Sequence, residues 1–79
     1  MARYQMKDYA GAVEDETAAL RFAPDDPRVN ETRGLALARL GDREAARADL
    51  QQAADLYQPQ GDQAAYDRVI AALKELSGQ

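Results

Sequence analysis

The side chains able to do chemistry in this chain are mostly carboxylates. Glu14-Asp15-Glu16 and Asp25-Asp26 are its acidic clusters, and they invite reading as a carboxylate pair or as a Ca²⁺ or Mg²⁺ site. The spacing argues against both. Neighbouring helix residues point in different directions, and no glycine-bearing ligand loop follows either cluster. A solvated helix face and a capping turn account for them better. The chain contains no cysteine and no histidine. Thiol nucleophiles, disulfides, imidazole bases and the usual zinc ligands are therefore excluded together. Ser77 is the only serine and sits in the last turn of the chain. The expectation is no enzyme, no catalytic residue, no metal and no cofactor.

Tyr4, Tyr9, Tyr57 and Tyr66 are the other conspicuous side chains. At helical spacing, tyrosines pack with a wet hydroxyl more often than they anchor a partner. Tyr9, Tyr57 and Tyr66 read as core residues and Tyr4 as an interface residue.

The elements that must position these groups are helices. Asp26-Pro27 is a start signal, with a capping carboxylate followed by proline in the first turn. Gly41 is suited to close that helix, and Asp42 to cap the next. The organising helix thus runs over 27–40. Before it, Tyr9, Ala12, Val13, Ala19, Leu20 and Phe22 form a stripe that predicts a helix over 9–22, capped by Asp8 and ended by Pro24. After it, Ala46, Leu50, Ala53, Ala54, Leu56 and Tyr57 predict a helix over 43–57, broken by Gln58-Pro59-Gln60-Gly61. Asp62 caps a last helix over 62–76, with Tyr66, Val69, Ile70, Leu73 and Leu76 on its inner face. Gln63, Asp67, Arg68, Lys74 and Glu75 face water. Residues 1–7 are either a short lead-in or, because no glycine stands at Lys7-Asp8, a continuation that makes 2–22 one helix. No strand pattern occurs. The expectation is a single all-α domain over 1–79, with short turns placing neighbouring helices antiparallel.

Composition narrows the function classes. Seventy-nine residues, 46% of them hydrophobic but only 6% aromatic, allow one thin core of Ala, Leu and Val. A chain of this size without disulfide or metal gains stability by association. Ten basic against fourteen acidic residues leave a net charge of -4, which repels phosphate backbones and argues against nucleic-acid binding. No run is long enough to span a membrane, and Met1–Asp8 lacks the apolar core of a signal peptide. The expected location is cytoplasmic.

Sliding the chain by 34 positions lays Asp8 on Asp42, Ala12 on Ala46, Asp15 on Asp49, Ala19 on Ala53 and Phe22 on Leu56. A period of this length, with helix–turn–helix content and small residues on the buried face, resembles the tetratricopeptide repeat family. Gly34 with Leu37, the Gly41-Asp42 turn, and Ala46 and Ala53 stand where that family places its first-helix pair, its turn and its second helix. Lys7-Asp8-Tyr9, Ala12, Ala19 and Pro24 match the second helix of a preceding unit. Glu16 and Asn30 occupy slots that the family fills with aromatic or large apolar residues.

The resemblance implies about one and a half repeats and a C-terminal capping helix, stacked as a short right-handed solenoid of helical hairpins. It further implies a scaffold or protein–protein interaction module whose groove face carries Arg28, Glu31, Leu35, Ala38 and Arg39. Glu31 and Leu35 replace the Lys and Asn with which some members clamp a C-terminal carboxylate, so chaperone-tail binding is not implied. The first unit has almost no first helix. Tyr4, Met6, Tyr9, Ala12 and Val13 are therefore expected to seek cover from a partner, either as a homodimer through the first helix or from an upstream repeat. The competing expectation is a C-terminal structural cap of a longer repeat protein, with no binding role of its own.

Overall fold

The computed structural model describes residues 8–78, and all its regular elements are α-helices. They are α1 (Tyr9–Phe22), α2 (Pro27–Arg39), α3 (Arg43–Gln60) and α4 (Gln63–Ser77). No helix is long and apolar enough to cross a membrane among the described residues.

Each helix starts behind an aspartate. Asp8, Asp26, Asp42 and Asp62 accept hydrogen bonds from the backbone N–H of Gly11, Arg28, Ala45 and Ala65 at 3.0–3.3 Å. Each satisfies one of the donors that a helix leaves unpaired at its first turn. Asp8 is itself outside the helical region, at φ -97° and ψ 51°, so α1 begins at Tyr9. The remainder of the 2–22 alternative, with Tyr4 and Met6, lies outside the described residues.

The helix ends differ in cause. Ala23, held away from helical geometry by Pro24, stops α1 at φ -137° and ψ 74°. Gly41 and Gly61 take φ of 89° and 77°, where a Cβ would be strained. Gly61 terminates α3. Pro59 does not, although Gln58–Gly61 reads as a break: α3 runs on through Gln60 with Pro59 inside its last turn. A proline so near the end removes few hydrogen bonds, and the left-handed Gly61 two residues later makes the actual stop, its N–H bonding the Gln58 carbonyl at 3.1 Å.

The core is organised around α3. Ala46, Leu50, Ala53, Ala54 and Tyr57 on α3 join Ala65, Val69 and Leu76 on α4 in one buried cluster. Leu50 and Val69 are fully buried, each contributing about 1.5–3 kcal/mol. α2 packs on both α1 and α3, α3 packs on α4, and α2 also touches α4. Gly34 lets α2 come close: a Cβ there would stand 2.9 Å from Leu50 Cγ and 3.2 Å from the Ala46 carbonyl oxygen. Gly34 faces Ala46 and Leu50 while Glu31, one turn earlier, reaches Tyr57. The two helices therefore run in opposite directions.

α1 is different. None of its residues is buried. Phe22, expected on its inner stripe, is 90% exposed. The helix ends at that residue, and α2 starts only after the Ala23–Asp26 turn. Its counterpart Leu56, on an α3 that continues past it, is half-buried.

Candidate functional site

α2 carries most of the polar chemistry, and its rotation decides where each side chain goes. Glu31 is only 7% exposed. Its Oε1 accepts from the Tyr57 hydroxyl at 2.8 Å, and the Arg68 guanidinium closes on both oxygens at 2.6 and 2.9 Å. The Arg68 bond holds the Glu31 carboxyl below the usual carboxylate range, against the opposing effect of burial. Burial, and then the Glu31 carboxylate, push the Tyr57 hydroxyl up to about 12.

Two residues on, Arg33 forms the same fork with Asp49, at 2.6 and 2.8 Å, and its third nitrogen donates to Thr17 on α1 at 3.2 Å. One guanidinium thus ties α1, α2 and α3 together. Among the described residues no buried side-chain nitrogen or oxygen lacks a partner. Nor do their aspartates and glutamates converge in a group of three or more that could hold a metal ion.

The residues expected to meet a partner separate and recombine. Arg28 is exposed at the start of α2 and pairs loosely with Asp26 at 3.5 Å. It borders a shallow cleft with Asp25, Tyr57, Gln60 and Asp62, away from Leu35. Glu31, expected on the groove face, is turned inward and held by Tyr57 and Arg68, because its side chain lies over α3 and α4. Leu35, Ala38 and Arg39 do come together, bordering a cleft between α2 and α4 with Ala72, Glu75 and Leu76. Val13 lies on the other flank of α1, beside Thr17, Arg33 and Leu37.

An open, largely apolar groove joins two surfaces that the sequence treats as separate. Tyr9 and Ala12 of α1 face Leu35, Ala36 and Arg39 of α2 across a groove of about 420 Å³, completed by Asp8, Asp15 and Thr32. Leu35 is 43% exposed there. Asp15, Thr32 and Ala36 are lining residues that sequence reasoning missed. Asp15 had a signal, since it falls on Asp49 in the 34-residue register.

The acid load of α1 is uneven. Desolvation first, then Asp15 and Asp26, raise the Glu16 carboxyl above its ordinary value. No ion pair involves an α1 carboxylate among the described residues.

Comparison with protein-family models, with curated proteins and with solved structures gave no significant match in any of the three.

Proposed function

We propose that this chain is a tetratricopeptide-like interaction module that binds a protein or peptide partner in the groove between α1 and α2. The observation that carries this reading is the contrast between two helices in the same register. Ala46, Asp49 and Ala53 on α3 are buried, whereas Ala12, Asp15 and Ala19 on α1 are not. A surface built for packing stands open beside the exposed Leu35. Apolar contact with Tyr9, Ala12 and Leu35 supplies affinity, and Arg39 with Asp15 supplies orientation.

Selection from a displayed peptide library tests this. Recovered peptides should shift the backbone amide NMR signals of α1 and α2, and Leu35→Glu should abolish binding while the chain stays folded. Failure to recover binders, or binders that map to α4, overturns it.

The same open face would suit a preceding repeat if the chain caps a longer protein, or a second copy if it dimerises through α1. Size-exclusion chromatography with light scattering separates these. A dimer dispersed by Ala12→Glu marks self-association. A sharp rise in Tm on adding upstream sequence marks the capping role.

A further inference from the structure

The molecule contains an occupied version of its own open groove. α2 lies on the face of α3 formed by Ala46, Asp49, Leu50 and Ala53, and two neighbouring residues make the fit. Gly34 allows close approach over Leu50, and Arg33 forks onto Asp49 at 2.6 and 2.8 Å. Moving back by 34 positions, the corresponding face of α1 presents Ala12, Asp15, Glu16 and Ala19. Ala12 and Asp15 line the open groove, with Leu35 and Ala36 forming its opposite wall.

From this correspondence we infer that the groove takes a helix of another polypeptide bearing an arginine followed by glycine or alanine, with the arginine read by Asp15 as Asp49 reads Arg33. The inference rests on the groove reading given above and specifies its ligand. Charge complementarity supports it: the groove is lined by Asp8 and Asp15 against Arg39 alone, and Glu14 and Glu16 add to the acid load of α1 beside it. Glu16, where Leu50 stands in the occupied version, is the carboxylate whose ionisation burial and Asp15 already oppose. A cation arriving at Asp15 relieves that repulsion. A second copy of this chain is the poorer ligand, because its own Arg33-Gly34 pair is already committed to Asp49 and Leu50.

The probe is a fluorescein-labelled synthetic peptide spanning Asp26–Leu40, the helix that the molecule already seats in the equivalent place. Anisotropy titration should show saturable binding. Asp15→Asn should weaken it roughly three- to tenfold, the range for an ordinary hydrogen bond at a site still open to solvent. Asp15→Arg should abolish it, and the peptide carrying Arg33→Asp should bind that variant better than it binds the original chain. Exchange of the peptide into the α3 site would be insensitive to Asp15, since Asp49 is unchanged. Binding that ignores Asp15 overturns the recognition rule while leaving the groove reading intact. No peptide binding, with library-selected ligands still mapping to α1 and α2, overturns the rule alone. No binding of either kind removes both. A dimer by light scattering, dispersed by Ala12→Glu, overturns the choice of occupant.

Discussion

Arg68 on α4 reaches across to Glu31 on α2 and grips both oxygens of its carboxylate, at 2.6 and 2.9 Å. The two residues are 37 positions apart in the chain. Tyr57 on α3 donates to the same carboxylate, so one buried acid joins three helices. Glu31→Ala should therefore cost about 2–3 kcal/mol, since it removes the acceptor of a buried hydroxyl together with the partner of a guanidinium. In a domain of this size that lowers Tm by roughly 10–20 °C. Arg68→Ala should cost at least as much, because it leaves the Glu31 carboxylate, 7% exposed, with only the Tyr57 hydroxyl bonded to it, and Arg68→Lys should recover part of the loss. Thermal unfolding followed by circular dichroism checks the order.

The same triad predicts the pH limits of the fold. Glu31 has a folded pKa below its ordinary 4.5. Its contribution is present above that value and is lost as pH falls through the depressed folded pKa. Tyr57 has a folded pKa raised from 10.0 to about 12. Its contribution is complete below pH 10 and disappears as pH rises through about 12. Urea midpoints measured across pH should fall at both ends. Glu31→Gln should flatten the acid limb and Tyr57→Phe the alkaline one.

Glu16 should behave in the opposite sense. Its folded pKa is raised, so its ionised form opposes folding near neutral pH, and the penalty fades as pH falls through the folded value. Glu16→Gln should stabilise the chain slightly at pH 7, by a few tenths of a kcal/mol at most, since the group is partly solvated. The gain should shrink at pH 4. A loss of stability at pH 7 would contradict the repulsion from Asp15 and Asp26.

Gly34 is a packing glycine. Alanine is worth about 1 kcal/mol more than glycine inside a helix by intrinsic preference, yet Gly34→Ala should destabilise by about 1–2 kcal/mol. Its Cβ would meet Leu50 Cγ at 2.9 Å and the Ala46 carbonyl oxygen at 3.2 Å, and the second is helix backbone that cannot swing aside. In a double-mutant cycle, Leu50→Ala should cost less in the Gly34→Ala background than alone.

Amide hydrogen exchange should divide the molecule. α1 buries none of its residues and is held chiefly by α2 and the Arg33–Thr17 bond. Its amides should exchange by local opening, well below the global unfolding free energy, while those of α3 around Leu50 and Ala53 should exchange only by global unfolding. Uniform protection would show that α1 is held as firmly as the rest.

The helix ends were legible in the sequence because capping is local. Asp8, Asp26, Asp42 and Asp62 each bond a backbone group two or three residues away, and Gly41 and Gly61 need only their own φ. The inner face of α3 was legible for the same reason, since a stripe of Ala46, Leu50, Ala53 and Tyr57 follows from helical periodicity alone. Pro59 was misread because a breaker inside a helix and one in its last turn look alike until the stop is seen to fall on Gly61. The destinations of the charged side chains depended on tertiary structure. Arg33 finds Asp49 at a separation of 16 residues and Arg68 finds Glu31 at 37, and both depend on how each helix is rotated against its neighbour. That rotation turned Glu31 from an expected groove residue into an internal anchor. It also brought Tyr9 and Ala12 opposite Leu35 and Arg39 to make a single groove, a meeting that no spacing along the chain encodes.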